Sequence, residues 1–238
     1  MNHLNYKTGN RHILWDSKKS VGMDWTPKAG CTVATKMFFE HMGLLEEALN
    51  YHPWIHRFRA NIFYDKYAQN INPEHIKHKF KVVRNPYDRA ISIYLYSIEV
   101  YNNPHSFSKF LEFLLTGKAN SKAENDRSDY MFFHAQLQTK PADDQFIIVK
   151  LENIGPIMSR LNSEWVTTFN PNHTSSHHFQ NKITSTDVKC VANEKINIEA
   201  VPPYRLFYNG KTKHLVEQIY RQDLESYKYE FPYIRSFL

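Results

Sequence analysis

Cysteine is scarce in this chain of 238 residues, which contains only Cys31 and Cys190. Two cysteines are too few for the disulfide framework of a small secreted domain, so a reducing compartment is the simpler expectation. No window of the sequence approaches the ~18 uninterrupted apolar residues of a membrane span. The first residues also lack the apolar stretch of a signal peptide. We therefore expect a cytoplasmic protein that is not anchored in a membrane.

Repeats and low-complexity tracts are also lacking, which excludes solenoids and fibrous proteins. The hydrophobic fraction of 42% and the aromatic fraction of 15% are higher than in disordered chains. We therefore expect residues 1–238 to form a single domain. The formal net charge of +6 favours anionic partners, although charge alone does not distinguish nucleotides from glycans, nucleic acid or acidic membranes.

Short β-rich segments alternate with helical patterns along the chain. The predicted strands cover residues 21–25, 80–84 and 145–149, and the predicted helices cover 32–42, 86–101, 154–161 and 212–227. Such alternation predicts an α/β fold with a central parallel sheet flanked by helices. Residues 170–193 are rich in Asn, Thr, Ser and His, which predicts a long loop.

The turn between the first strand and its helix has the sequence Pro27-Lys28-Ala29-Gly30-Cys31-Thr32. Small residues let the backbone approach a phosphate, and a helix N-terminus offers unpaired amides. The Gly-Lys-Ser/Thr loop of ATPases is absent. A lysine at the start of such a loop can neutralise charge on a leaving group without a metal. A Pro-Lys-x-Gly turn can equally be a purely structural turn.

A second motif, Arg84-Asn85-Pro86-Tyr87-Asp88-Arg89-Ala90-Ile91-Ser92, joins a strand to a helix. Asn85 is predicted to cap this helix and Pro86 to occupy its first position. Arg84 ends the strand and Ser92 lies about two turns into the helix, so both side chains can bind one anion. Arg89 either joins them or pairs with a local carboxylate.

Together, the two motifs resemble those of the sulfotransferases that use the donor PAPS (3′-phosphoadenosine 5′-phosphosulfate), particularly the carbohydrate branch. The first motif is similar to the family's 5′-phosphosulfate loop, and the second to its 3′-phosphate motif. Weaker similarity continues through residues 146–153 and 219–231. The resemblance implies a P-loop-like, three-layer α/β fold, PAPS as donor and PAP (3′-phosphoadenosine 5′-phosphate) as product.

The resemblance also assigns roles by position. Lys28 would contact the oxygen that bridges to the sulfate. The 5′-phosphate would be held by the backbone amides of five residues: Ala29, Gly30, Cys31, Thr32 and Val33. Arg84 and Ser92 would hold the 3′-phosphate. A nucleophilic role for the Cys31 thiol is not expected, because the donor needs only its amide.

A general base is expected for a hydroxyl acceptor, and the resemblance implies a position between the two motifs. His56 is the favoured candidate. His52, His134 and Glu40 are the alternatives, and His134 has aromatic neighbours that suggest partial burial.

The expected acceptor is a hydroxyl or amine of a carbohydrate or a small molecule, with neither nucleic acid nor membrane as a partner. We expect no metal, because the histidines at 173, 177 and 178 lack a recognisable ligand spacing. Lys182, in the same predicted loop, is a candidate nucleotide contact. Two other functions are considered: an ATP-dependent small-molecule kinase, and a non-catalytic basic module that binds glycans or RNA through segments such as residues 54–59.

Overall fold

The computed structural model describes residues 13–18, 20–68, 76–116, 127–173 and 190–233. The chain divides into two compact units. One unit contains Met1–Val83 and Lys140–Ser175, and the other contains Arg84–Thr139 and Ser176–Leu238. No helix in the described ranges combines the length and the apolar character that crossing a bilayer requires.

The first unit contains a four-stranded sheet with the order β1-β2-β3-β4. The strands are β1 (Leu14–Asp16), β2 (Val21–Trp25), β3 (His78–Val83) and β4 (Ile147–Lys150). β1 runs antiparallel to β2, whereas β2, β3 and β4 are mutually parallel. The fold is therefore mixed α/β, as the alternating sequence pattern predicts.

The helices of the first unit share its apolar core with one face of the sheet. They are α1 (Cys31–His41), α2 (Leu45–Tyr51), α3 (Ile55–Phe58), α4 (Tyr64–Lys66) and α8 (Ile154–Trp165), with a π-helical turn at Arg59–Phe63. Met23, Phe80 and Val149 point from β2, β3 and β4 into this core, where they meet Phe38 of α1 and Met158 of α8. Alternate strand residues face one side of a sheet, so the residues between them lie on the opposite face.

That opposite face carries a buried ionic network. Lys81 and Asp24 are register partners on β3 and β2. The Lys81 ammonium lies 2.6 Å from Asp143, and Lys140 lies 2.7 Å from Asp24. Desolvation lowers the pKa of Lys81, although the charges of Asp143 and Asp24 oppose this shift.

The second unit is built from helices around its own aromatic core. They are α5 (Pro86–Tyr101), α6 (Phe107–Thr116), α7 (Arg127–Ala135), α9 (Gly210–Ile219) and α10 (Arg221–Tyr227), with a 3-10 turn at Tyr204–Phe207. Tyr94, Phe107, Phe110 and Phe207 pack in this core. Asn85 caps α5, since its side chain accepts a hydrogen bond of 3.0 Å from the Tyr87 amide, and Pro86 opens the helix. Both features were predicted from the sequence.

Several element boundaries differ from the sequence predictions. β3 begins at His78 and ends before Arg84, and β4 spans Ile147–Lys150 because Gln145 belongs to a 3-10 turn. The prediction of one continuous helix over residues 212–227 is wrong, because this segment contains parts of two helices. Tyr220 leaves the helical conformation at φ −114° and ψ 26°, and α10 begins at the next residue. Most of the predicted loop at 170–193 lies outside the described residues.

Candidate active site

Residues 26–30, which join β2 to α1, form the first part of the candidate site. The Ala29 amide donates a hydrogen bond of 3.1 Å to the Thr26 carbonyl, which closes a tight turn. Lys28 and Gly30 both have left-handed backbone conformations, with φ of 64° and 84°. The half-buried Lys28 therefore lies in a compact loop immediately before the helix.

Gly30 is required by both its conformation and its surroundings. A positive φ of this size is unfavourable for residues with a side chain. A Cβ atom at this position would also lie 2.6 Å from the Cδ1 atom of Leu151. A side chain at this position would therefore force the Leu151 side chain to move, so glycine is favoured at the start of α1.

The first amides of α1 are available to a ligand. The first bond into the helix joins the Ala34 amide to the Gly30 carbonyl at 3.0 Å. Among the residues that the structure describes, none accepts a hydrogen bond from the amides of residues 30–33. Four amides at a helix N-terminus suit a phosphate or sulfate group. The predicted set included Ala29, but the turn already uses that amide.

The imidazole of His56 lies against the first turn of α1. Its Nε2 atom is 3.1 Å from the Thr32 hydroxyl oxygen and 3.6 Å from the Cys31 sulfur. The rings of Trp25 and Trp54 lie 6.1 and 5.7 Å from the His56 ring, measured between centroids. His56 is 8% exposed. A potential proton acceptor is thus held beside the loop.

The second unit fixes the backbone of Arg84. Its amide donates to the Gln138 side-chain oxygen at 2.9 Å, and the Gln138 side-chain nitrogen donates to the Arg84 carbonyl at 2.8 Å. The backbone amides of Gln138 and Thr139 donate in turn to the Asp223 carboxylate, at 2.9 and 2.8 Å. Gln138 and Asp223 are both fully buried. Arg84 is therefore anchored through a chain of hydrogen bonds.

The side chains of Arg84 and Ser92 are mostly buried, each with 7% exposure. Burial raises the pKa of Tyr204, and the charge of Arg84 opposes part of that rise. No described residue hydrogen-bonds to the Ser92 hydroxyl. Arg84 directly precedes the Asn85 cap of α5 and Ser92 lies within this helix, so the two residues of the predicted 3′-phosphate motif belong to one unit.

A family model described as "Sulfotransferase family" matches residues 11–230. The chain belongs to the sulfotransferase family. This match confirms the resemblance, whereas membership of the carbohydrate branch stays a prediction. No curated protein and no solved structure matches the chain. Sulfotransferases move a sulfuryl group to an acceptor and generally take it from PAPS.

The alternative base candidates of this sulfotransferase have other surroundings. Glu40 lies near the C-terminal end of α1, where it pairs with His173 at 2.8 Å. His52 is exposed and accepts a hydrogen bond of 2.9 Å from the Trp54 amide. His134 belongs to the second unit, where its ring lies 4.8 Å from that of Tyr96. Of the candidates in the first unit, His56 makes the contacts with the first turn of α1.

Arg89 has a structural role in the sulfotransferase. It is fully buried, and it donates to the carbonyls of His134 and Gln136 at 2.9 and 2.7 Å. Its guanidinium also lies 3.8 Å from the Asp223 carboxylate. The carboxylate partner of Arg89 is therefore distant in sequence and not local, because Asp223 belongs to α10.

The described ranges contain no cluster of three or more potential metal ligands. His173 lies within these ranges and pairs with Glu40. The remaining two histidines of the predicted loop, at 177 and 178, and Lys182 lie outside them. The nucleotide contact predicted for Lys182 therefore stays a prediction.

Sequence reasoning missed two residues that support Arg84. Gln138 and Asp223 lie in segments without a recognisable motif. The signal that marks Asp223 is its acidic side chain within the otherwise amphipathic pattern of the last helix. That signal identifies no partner, because the hydrogen-bonded amides lie 84 and 85 residues away in sequence.

Proposed function

We propose that this sulfotransferase transfers a sulfuryl group from PAPS to a hydroxyl or amine of a carbohydrate or small molecule. The observation that carries the proposal is the set of available amides at residues 30–33, which begins two residues after Lys28 at the end of the β2–α1 loop. These N–H donors suit an anionic group at the 5′ end of the nucleotide, the end that carries the sulfuryl group. The family match supports the same chemistry.

Lys28 and the loop amides act on the donor's 5′ end. The amides of residues 30–33 hold the 5′-phosphate, and the Lys28 ammonium contacts the oxygen that bridges phosphorus and sulfur. In the transfer, the bond from this oxygen to sulfur breaks while a bond from the acceptor to sulfur forms. Lys28 offsets the negative charge that develops on the leaving PAP. No metal is needed for this step.

Arg84 and Ser92 bind the 3′-phosphate of the donor. A guanidinium can donate two parallel hydrogen bonds to phosphate oxygens, and a hydroxyl can donate a third. The anchored backbone of Arg84 supports this role, because a main chain that is already ordered costs no further conformational entropy when the ligand binds.

His56 acts as the general base when the acceptor is a hydroxyl. The base must lie within hydrogen-bonding reach of the proton that it removes. Its Nε2 atom contacts Thr32 in the same turn of α1 that offers amides to the donor. The imidazole can therefore take the acceptor's proton as the sulfur–oxygen bond forms.

A transfer screen tests the proposed function. The purified protein is incubated with PAPS and panels of sugars, phenols and amines, and the products are analysed by mass spectrometry. The expected product is an acceptor heavier by one sulfuryl group, together with an equal amount of PAP. ATP with magnesium replaces PAPS in the control. Phosphorylated products from ATP, with no sulfated product from PAPS, would refute the proposal.

A further inference from the structure

Two tryptophan rings neighbour His56, and each of them stacks with an arginine. The Arg59 guanidinium carbon lies 4.0 Å from the centre of the Trp25 ring. The Arg57 guanidinium carbon lies 5.6 Å from the centre of the Trp54 ring. Both distances fall within the ~6 Å range of a cation–π interaction. The proposed general base therefore has two tryptophan–arginine pairs beside it.

The two pairs differ in exposure and in partners. Trp25 is buried, and Arg59 is half-buried and has further interactions within the fold. Trp54 is half-buried, whereas Arg57 is exposed. In the part of the chain that the structure describes, no residue accepts a hydrogen bond from the Arg57 guanidinium or forms an ion pair with it. Arg57 thus has N–H groups available for a ligand.

The stacked guanidinium of Arg57 suits a carboxylate. The Arg57 amide donates a hydrogen bond of 2.9 Å to the Trp54 carbonyl, which closes the turn that holds the two side chains together. A planar guanidinium can donate two parallel hydrogen bonds to the oxygens of one carboxylate. Residues 48–64 contain no Asp or Glu that would compete for this cation. The local charge therefore favours an anionic ligand.

Contacts link this pair to the loop that is proposed to bind the donor. The His56 Nε2 atom lies 3.1 Å from the Thr32 hydroxyl oxygen in the first turn of α1. The His56 ring lies 5.7 Å from the Trp54 ring, measured between centroids. An acceptor whose hydroxyl reaches His56 therefore has Trp54 and Arg57 beside the rest of the molecule.

We infer that Trp54 and Arg57 form an acceptor subsite that selects hydroxyl compounds bearing a carboxylate, such as sugar acids. This inference rests on the proposed function, because it assumes that His56 receives the acceptor's proton. It narrows the acceptor from any carbohydrate or small molecule to a carboxylated one, and it identifies Arg57 as the residue that determines this specificity.

Matched acceptors test this selectivity. In para-nitrophenyl glucuronide, a carboxylate replaces the hydroxymethyl group of para-nitrophenyl glucoside, and the galacturonide and galactoside form a second pair. With PAPS as donor, kcat/KM should be about 10-fold higher for the acidic member of a pair, the value of one hydrogen bond to a charged group. Added salt should reduce this advantage, because Arg57 is exposed. Equal or faster turnover of the neutral member in both pairs would refute the selectivity.

The variant Arg57→Gln tests the residue itself. It should remove the advantage by raising KM for the acidic acceptor, while kcat changes by less than about twofold. The Kd for PAP, measured by calorimetry, should stay at the wild-type value. Arg160→Gln removes another exposed arginine of the same unit, which pairs with Glu164 at 3.6 Å, and should keep the advantage. A preference that survives Arg57→Gln, or a PAP Kd that rises in this variant, would overturn the acceptor role of Arg57.

The failure of this inference can be distinguished from the failure of the proposed function. If neither acidic acceptor is sulfated while neutral compounds in the wider transfer screen are, the inference is refuted and the proposed function stands. If no compound is sulfated and PAP does not bind, both are refuted.

Discussion

The Nε2 atom of His56 lies 3.1 Å from the hydroxyl oxygen of Thr32 in the first turn of α1. This contact joins α3 to the helix that offers free amides to an anion. In the proposed function, the base and the 5′-phosphate site lie on the same turn, where donor and acceptor would meet for an in-line transfer.

Replacement of His56 by Gln should impair turnover more than folding. Without the imidazole, kcat for a hydroxyl acceptor should fall at least about 100-fold, the usual contribution of a general base. The wild-type rate should also show a pH dependence that the variant lacks. Steady-state rates across a pH series measure both effects. His52→Gln, at an exposed histidine nearby, should retain activity. Equal losses in the two variants would contradict the role of His56.

Replacement of Lys28 by Ala should separate catalysis from donor binding. Loss of the ammonium should lower kcat by roughly 10²–10³-fold, because charge on the leaving oxygen is no longer offset. The amides of residues 30–33 remain, so PAP should still stabilise the variant against heat. Single-turnover rates and melting curves with PAP provide the two measurements. Unchanged turnover would remove Lys28 from the mechanism.

Replacement of Gly30 by Ala should damage the loop. The strain of a left-handed alanine costs about 1 kcal/mol. The clash of its Cβ with Leu151 costs about 1–3 kcal/mol more, as is typical of overpacking. Gly43 is the matched control, because its φ is 71° but no atom lies within 4 Å of an added Cβ. Chemical denaturation should show that Gly30→Ala lowers the free energy of unfolding more than Gly43→Ala does. Only Gly30→Ala should lose PAP binding. Equal losses would show that the contact with Leu151 is unimportant.

Replacement of Asp223 by Asn should destabilise the protein by about 3–5 kcal/mol, as expected when a buried ion pair is broken. The amide group cannot accept all the hydrogen bonds from Gln138 and Thr139, and it leaves the charge of Arg89 uncompensated. Urea denaturation measures the loss. Glu225→Gln, at an exposed site on the same helix, should cost little. A nearly neutral Asp223→Asn would contradict the central position of Asp223 in this network.

The buried Lys81 should give a measurable pH dependence. Its pKa in the folded protein lies below the ordinary value of 10.5, so the unfolded chain binds more protons between these two values. The free energy of unfolding should therefore rise with pH across this interval and level off above 10.5. Denaturation of wild type and Lys81→Met across a pH series isolates this contribution. Lys79→Met, two residues away on β3, should retain the wild-type slope. A slope that survives in Lys81→Met would contradict the assignment.

The sequence predicts the local features of the fold well. The β2–α1 loop, the Asn85 cap and the strand–helix alternation follow from residues that are adjacent in the chain. Turn geometry and capping depend on short-range sterics and hydrogen bonds, so the sequence shows them directly. β1 was not predicted, because three residues are too few for a periodic pattern.

The support of Arg84 could not be predicted in the same way. Gln138 lies 54 residues from Arg84 in sequence, and Asp223 lies a further 85 residues along the chain. Their roles arise from tertiary packing, which places a polar side chain against an otherwise unpaired main-chain group. The break at Tyr220 could not be predicted either, because the apolar periodicity continues through the residue at which the backbone departs from helical geometry.

Thermal unfolding with nucleotides tests the central claim most directly, namely that the protein binds a nucleotide phosphorylated at both the 3′ and 5′ positions. PAP at 100 times its Kd should stabilise the fold by about 2.7 kcal/mol, which for a chain of this size raises Tm by roughly 5–10 °C. ATP with magnesium should produce almost no shift. A shift with ATP and magnesium that equals or exceeds the shift with PAP, or no shift with PAP, would contradict the proposed donor.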